Sequence, residues 1–342
     1  MRRFLPFGLV LLYLLGLPGL APAAEHELLQ PVESRSDLIL ESTRGQARVL
    51  RGGGAAQRVS LRSNERLTTI EETQGGWTAA GVSEEEDGSK LIVFTRSPAG
   101  TRRMAAPSLQ RHPLQLRPAL VVQDEQLDGL AWLEGSNPAS LSVRVAARAG
   151  EDWGEVIIVA PPAKGSQTGL VQTVLADGSW LLAWSAFDGR DDEILWSIGR
   201  NDNWSVPSRI GKANSVPDVL PALVSTPDGA LLVWSRQIEG HYRLLLSRYQ
   251  SNSWSRPQIV GPPGSLDPGF AIREGQLLLL YRHAWPRGWA ITELSTKGIP
   301  RRLAVVSDDN ASRPALLHSS SEGIELRWVG QRRALADWEA VP

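Results

Sequence analysis

The chain has 342 residues, with 36 basic and 37 acidic side chains and a formal net charge of −1. This near balance argues against a nucleic-acid-binding protein, because neutralising phosphates takes a clear excess of Lys and Arg. There is no cysteine, which excludes disulfides, thiolate metal sites and cysteine nucleophiles. The fold must therefore be stabilised by buried apolar area, for which a chain of this length is sufficient.

Residues 1–24 have the pattern of a secretory signal peptide. Arg2 and Arg3 precede the apolar stretch 4–20, and residues 21–23 read Ala-Pro-Ala, which fits an A-x-A cleavage site. The arginine pair lacks the spacing of the twin-arginine pattern, which favours the general secretion route. No later stretch is long and apolar enough to span a bilayer. We therefore expect a periplasmic or secreted protein with no transmembrane segment after cleavage.

After the signal peptide, two sequence landmarks recur together six times. An aromatic residue ends a short apolar run at Phe94, Trp132, Trp184, Trp234, Tyr281 and Trp328. An acid-Gly pair precedes each one, at Asp87-Gly88, Asp128-Gly129, Asp177-Gly178, Asp228-Gly229, Glu274-Gly275 and Glu322-Gly323. The aromatic residues are 38 to 52 positions apart, which is close to the period of a β-propeller blade.

Each acid-Gly pair predicts a tight hairpin between two strands, because glycine accepts a positive φ without a steric clash. The clearest copy predicts strands over 221–226, 230–236, 243–249 and 253–260. Pro118, Pro221 and Pro314 are predicted to begin inner strands, since a proline at a strand's first position loses no ladder hydrogen bond.

The predicted fold is all-β, a six-bladed β-propeller of four-stranded antiparallel blades, with seven blades as the alternative. Glycine and proline interrupt every apolar run, which leaves no amphipathic helix, and repeats of equal size favour a propeller over a β-sandwich. Residues 74–342 are predicted to form the repeats. Residues 25–73 are predicted to supply strands that pair with the last blade and close the ring.

Two segments in the middle of the chain carry the frame of a known repeat motif. Ser197–Trp204 and Ser247–Trp254 keep the serine and tryptophan of the Asp-box, S-x-D-x-G-x-x-W, while Gly199 and Tyr249 replace its aspartate, and Asn201 and Ser251 its glycine. The chain thus resembles the sialidase-like propellers, with degenerate boxes. The resemblance implies a hairpin between third and outer strands, opposite the face that carries the active site in that family, with its tryptophan packed between blades.

Sialidase chemistry would need an arginine triad, a tyrosine nucleophile assisted by a glutamate, and an aspartate acid. The mature tyrosines are Tyr242, Tyr249 and Tyr281; the second lies in a degenerate box and the third in a repeated packing position. We therefore predict no catalytic residue. The favoured function is non-enzymatic binding of a protein or glycan; the alternatives are an exo-glycoside hydrolase acting on acidic sugars and a subunit of an envelope assembly.

Ligand-binding residues are predicted on the rim where inner strands begin and second strands end. They are Arg96, Arg117, Asp188, Asp218, Arg236, Glu239, Asp267, Arg282 and Arg313. Arg117 and Arg313 together would suit an anion, although arginine supplies 32 of the 36 basic residues, so that a chance cluster is the alternative.

No metal site or cofactor is predicted. The five histidines are scattered without an H-x-x-H or H-x-x-x-H pair, and residues 188–193 lack the spacing of an EF-hand loop.

Overall fold

The computed structural model describes residues 28–30, 38–51, 56–107, 113–273, 276–285, 288–294, 300–306, 317–320, 323–328 and 331–335. The predicted signal peptide lies outside these ranges. All regular structure in them is β-strand, arranged as antiparallel meanders in which each strand pairs with the next. The described part of the chain offers no helical segment with the length and hydrophobicity that a bilayer crossing requires.

The N-terminal strands form a four-stranded sheet of their own. They are β1 (Leu28–Gln30), β2 (Leu38–Thr43), β3 (Gln46–Arg51) and β4 (Gln57–Ser60), paired in that order. Leu38 and Leu40 on β2 are buried, as are Ala47 and Val49 on β3, because alternate side chains of a strand point to one face. That face packs on Trp77 and its neighbours in the next sheet.

The second sheet contains eight strands in two meanders. The first is β5 (Glu65–Thr73), β6 (Gly76–Glu85), β7 (Gly88–Ser97) and β8 (Gly100–Met104); the second is β9 (Leu114–Gln123), β10 (Gln126–Gly135), β11 (Leu141–Ala149) and β12 (Asp152–Ala160). A single parallel bridge between Ser89 and Leu114 joins them.

Four further meanders follow, each in a separate sheet. The third sheet holds β13 (Gln167–Val174), β14 (Trp180–Phe187), β15 (Asp192–Arg200), β16 (Asn203–Trp204) and β17 (Ser208–Arg209). The fourth holds β18 (Asp218–Thr226), β19 (Gly229–Ile238), β20 (His241–Gln250), β21 (Ser253–Trp254) and β22 (Gln258–Val260). The last two hold β23 (Ser265–Arg273), β24 (Gln276–Trp285), β25 (Gly288–Leu294) and β26 (Pro300–Val306), then β27 (Leu317–Ser320), β28 (Gly323–Trp328) and β29 (Gln331–Leu335).

The first strands of successive meanders are the inner strands, and they contact one another in chain order: β5 with β9, β9 with β13, β13 with β18, β18 with β23, and β23 with β27. Trp132, Trp184 and Trp234 on second strands are fully buried, and their clusters combine residues of neighbouring meanders. At these three positions the tryptophan therefore packs between neighbouring blades. These features confirm the all-β propeller class.

Among the described residues, six meanders begin at residue 65 or later, the number predicted for the repeats. The N-terminal sheet is a seventh meander, as in the seven-blade alternative. Among the described residues, the strands within 28–60 pair only with one another, and so do those within 317–335. The predicted closure of the ring by a shared blade is therefore not found there.

In the first repeat, the strand predicted to be the second of its blade is the third. The Asp87-Gly88 pair joins β6 to β7, so Phe94 lies on a third strand, and this accounts for its short separation from Trp132. Gly129 lies within β10 rather than in a turn. The predicted boundary at residues 73 and 74 consequently falls between two paired strands, inside the first meander of the second sheet.

Pro118 and Pro221 lie inside their inner strands and not at the first positions, whereas Pro314 lies outside the described residues. A register shift occurs in β9, β13, β18 and β23, with a positive φ at Arg117 (51°), Gly169 (62°), Leu220 (56°) and Asp267 (52°). In three of the four bulges the next residue is proline, whose missing N–H is tolerated because a bulged residue leaves the ladder.

Candidate binding site

The inner strands define two edges of the propeller. We call the edge where these strands begin the N-rim and the edge where they end the C-rim. Second strands run antiparallel to inner strands, so their last residues reach the N-rim. The structure places six of the predicted residues there: Asp188, Asp218, Arg236, Glu239, Asp267 and Arg282. These six residues therefore lie at one edge, and their role in ligand binding stays a prediction.

Arg96 lies on the opposite edge. It is near the end of β7, a third strand, where it pairs with Trp77 and with Thr101, and its Nη1 donates to Thr101 Oγ1 at 3.2 Å. Its placement on the N-rim was wrong, because the first repeat was assigned out of phase. Arg117 lies in the bulge of β9 and lines the central cavity, whereas Arg313 lies outside the described residues.

Asp218 is buried at the start of β18 and bound from several sides. Its Oδ1 accepts from Arg236 Nε at 2.6 Å and from Trp234 Nε1 at 2.8 Å, and its Oδ2 accepts from Arg236 Nη2 at 2.6 Å and from Asn214 Nδ2 at 3.1 Å. Burial lowers the pKa of Arg236, but the hydrogen bonds and charge of Asp218 outweigh it, so that the pKa is raised. This pair holds the inner and second strands together.

Equivalent pairs occur at the N-rim of other meanders. Asp267 Oδ2 lies 2.5 Å from Arg282 Nε, and the buried Glu134 lies 3.6 Å from Arg144 Nη1 while accepting from Trp132 Nε1 at 2.9 Å. Asp218, Arg236, Asp267 and Arg282 are therefore engaged within the protein. Sequence reasoning missed Glu134, although it follows its aromatic landmark by two positions, as Arg236 follows Trp234.

An acidic turn joins β14 to β15 at the N-rim. Asp188 Oδ1 accepts from the backbone N–H groups of Arg190 and Asp191 at 2.9 and 3.4 Å, and these bonds, the first above all, lower its pKa despite partial burial. Burial, then the charges of Asp191, Asp218 and Asp188, raises the pKa of Asp192 to about 6. Carboxylate oxygens of Asp188, Asp191 and Glu193 lie within 4.8 Å of one another, a separation at which they could share a metal ion.

A cavity of about 750 Å³ follows the inner strands β5, β9, β13 and β18. It extends from the bulges at Arg117 and Gly169 to the C-rim turns, including Asp124 and Pro227. Among the described residues, its lining carries four carboxylates and one cation: Glu71, Glu72, Asp124, Glu125 and Arg117. No sequence motif pointed to this cavity.

Polar atoms without partners also line the cavity. Among the described residues, Thr68 Oγ1, Gln123 Oε1 and Gln172 Oε1 are buried and have no hydrogen-bond partner. Such atoms are costly to leave unpaired and are well suited to receive hydrogen bonds from a ligand.

The tyrosines are poorly suited to act as nucleophiles. Burial raises the pKa of Tyr281 to about 12. It also raises the pKa of Tyr242, together with the charges of Asp192 and Asp267, and that of Tyr249. A raised pKa makes the reactive phenolate rarer. Tyr249, at the end of β20, also lies toward the C-rim.

The two degenerate boxes form matching hairpins at the C-rim. Ser197 Oγ donates to the carbonyl of Ser205 at 2.8 Å, and Ser247 Oγ donates to the carbonyl of Ser255 at 2.7 Å. Trp204 packs against a cluster that includes residues of the preceding meander. The hairpins join third strands to the short strands β16 and β21, on the edge opposite the N-rim.

No protein-family model matches the sequence, and no curated protein is significantly similar to it. The structure is similar to that of a puromycin-hydrolyzing peptidase from Mycobacterium tuberculosis (TM-score 0.57, 13% identity, 91% of this chain and 52% of that one). It is also similar to the tricorn protease (TM-score 0.53, 10% identity, 93% of this chain and 36% of that one). A six-bladed β-propeller lectin of Aleuria aurantia superposes with a TM-score of 0.49 at 11% identity, over 79% of this chain and 90% of that one.

The chain spans about half the length of the peptidase and about a third of the tricorn protease. At such low identity, these similarities show the fold alone.

Proposed function

We propose that this chain is an exported, non-catalytic β-propeller that binds a protein or glycan partner at the C-rim mouth of its central cavity. The observation that carries the proposal is the polar, net-negative cavity lined by four inner strands. A cavity of about 750 Å³ falls within the size range of ligand sites in proteins, roughly 300–1,000 Å³.

The cavity is a better binding site than the predicted N-rim residues. Asp218 with Arg236 and Asp267 with Arg282 are ion pairs with both partners largely buried. Recruiting either pair for a ligand would leave a buried charge uncompensated, which is strongly unfavourable. The cavity lining instead includes the exposed Asp124 and Glu125, which a partner can reach without disrupting the fold.

The lining favours a basic protein segment over a neutral glycan. Its carboxylates outnumber its single cation, Arg117, so the cavity attracts positive charge. None of the described residues that line it is aromatic, and it therefore lacks the flat apolar surface on which sugar rings stack. A Lys- or Arg-containing segment of another envelope protein is the partner class that this chemistry suits best.

The binding experiment uses a fluorescein-labelled hexalysine peptide and the purified mature chain. We expect the variant Asp124→Asn/Glu125→Gln to weaken binding about threefold or more at low salt, because it removes two carboxylates at the mouth. Glu86→Gln/Asp87→Asn is the matched control, since it neutralises two exposed turn acids outside the cavity lining. Equal binding by both variants and the wild type would rule out the acidic mouth as the site.

Two further assays address the alternatives. If the chain binds a glycan on an array but does not bind the peptide, the partner is a glycan and not a protein. Turnover of any member of a panel of fluorogenic glycosides would overturn the non-catalytic proposal in favour of the exo-glycoside hydrolase.

Export is tested by sequencing the N-terminus of the protein recovered from the envelope fraction of its host. We expect the chain to begin at Ala24 or Glu25, because the A-x-A pattern ends at Ala23. A cytoplasmic protein that retains Arg2 and Arg3 would contradict export.

A further inference from the structure

Asp191, in the turn between β14 and β15, is a buried carboxylate without hydrogen-bond donors. The residue is only 5% exposed, and within the described part of the chain neither Oδ1 nor Oδ2 has a hydrogen-bond partner. Buried charges in proteins are normally paired, hydrogen-bonded or bound to a metal. The first two arrangements are absent here, which points to the third.

The neighbours of Asp191 have the spacing of a metal site. One carboxylate oxygen from each of Asp188, Asp191 and Glu193 lies within 4.8 Å of the other two. Calcium binds oxygen ligands at about 2.3–2.6 Å, so two oxygens on one ion are separated by at most about twice that distance. The three oxygens therefore need little movement to share an ion.

The two outer carboxylates are oriented by groups that make no hydrogen bond to the Asp191 carboxylate. Glu193 Oε1 and Oε2 accept from the backbone N–H and the Nδ2 of Asn214, each at 3.1 Å. Arg209 lies 3.4 Å from Asp188 and 3.7 Å from Glu193. Contacts of this kind orient the side chains that bind a metal, while the carboxylate oxygens themselves set the position of the ion.

Charge in this region is not balanced by side chains alone. Five carboxylates influence one another here, from Asp188, Asp191, Asp192, Glu193 and Asp218, against the cations Lys164, Arg190, Arg209 and Arg236. The cluster is therefore net negative.

We propose that Asp188, Asp191 and Glu193 bind one divalent cation of the calcium class at the N-rim. All three donors are carboxylate oxygens, which hard cations prefer, and calcium tolerates the irregular geometry that a turn provides better than magnesium does. The ion would tie the turn between β14 and β15 to the segment that leads into β18, through Asn214 and Asp218. This site is separate from the cavity, so it stands or fails independently of the proposed function.

The test uses the purified mature chain after chelator treatment, titrated with CaCl2 in a calorimeter and unfolded thermally with and without CaCl2. We expect one Ca²⁺ per chain and a Tm that rises with Ca²⁺ concentration, because only the folded protein has the site. Asp191→Asn should weaken Ca²⁺ binding by at least about tenfold, while the chelated variant remains folded because it no longer buries an unpartnered charge.

Asp188→Asn provides a second variant with the same expected loss. Asp202→Asn is the control, because Asp202 is an exposed acid in the same meander, and it should bind Ca²⁺ as the wild type does. The absence of heat and of a Tm shift in the wild type at millimolar Ca²⁺, or unchanged binding by Asp191→Asn, would overturn the proposal.

Discussion

The guanidinium of Arg236 donates two parallel hydrogen bonds to the carboxylate of Asp218, Nε to Oδ1 and Nη2 to Oδ2, both at 2.6 Å. The two residues lie directly opposite each other on β18 and β19. The side chain of Asp218 is 1% exposed and that of Arg236 is 18% exposed, so the pair is part of the blade's interior. Two residues that the sequence marks as ligand contacts thus hold two strands together.

Removing the cation of this pair should destabilise the fold strongly. We expect Arg236→Met to lower the free energy of unfolding by about 3 kcal/mol, because it leaves Asp218 buried without its ion pair. Urea unfolding measures the change. Lys90→Met is the control, since Lys90 pairs with Glu85 at an exposed turn, and it should unfold as the wild type does. An Arg236→Met variant as stable as the wild type would show that the pair contributes nothing.

Tyr281 should destabilise the protein in alkali. Its Oη is buried and has no hydrogen-bond partner among the described residues, and burial raises its pKa to about 12 from the ordinary 10.0. Above pH 10, Tyr281 ionises in the unfolded chain while it stays protonated in the folded protein. The free energy of unfolding therefore falls as the pH rises from 10 toward about 12.

The variant Tyr281→Phe isolates this effect. We expect it to raise the free energy of unfolding by about 1 kcal/mol at pH 7, because it deletes an unsatisfied buried hydroxyl. The gain over the wild type should increase between pH 10 and 12. Tyr242 and Tyr249 remain in both proteins, so their titration cancels in the comparison. A gain that does not change over this range would contradict the raised pKa.

The two box hairpins should contribute equally to stability. Ser197 and Ser247 are fully buried and each donates to a carbonyl across its hairpin. We expect Ser197→Ala and Ser247→Ala each to cost about 1 kcal/mol, and the double variant to cost the sum, because the hairpins lie in different meanders. Thermal unfolding measures the three variants. Ser253→Ala, at an exposed position at the start of β21, should have no measurable effect.

Gly129 is required by packing rather than by backbone conformation. A Cβ on this residue would lie 2.0 Å from Cη2 of Trp180 and 2.7 Å from the carbonyl oxygen of Ala146. We expect Gly129→Ala to lower the free energy of unfolding by about 3 kcal/mol, because neither the buried ring nor the backbone can move away cheaply. Gly154→Ala is the control, with its nearest contact at 3.4 Å. Equal Tm values for the two variants would refute this requirement.

Local sequence signals predicted the all-β class and six repeats over residues 74–342, because alternating apolar residues and turn glycines can be recognised without long-range contacts. They also predicted that Asp218, Arg236, Asp267 and Arg282 share an edge, since the ends of antiparallel neighbours meet there. The strands of the first repeat were assigned wrongly because Asp87-Gly88 and Asp228-Gly229 have the same sequence pattern. The first pair follows a second strand, whereas the other follows an inner strand.

Only the tertiary structure decided which charged residues are paired and which surround open space. Arg117, Gln172 and Pro227 lie more than 50 residues apart in succession, yet they line one cavity. Asp191 carries no sequence signal that separates it from Asp192, but among the described residues its carboxylate is buried without a hydrogen-bond donor. Such relationships depend on strand register and on the contacts between blades, because these long-range interactions bring distant side chains within reach of one another.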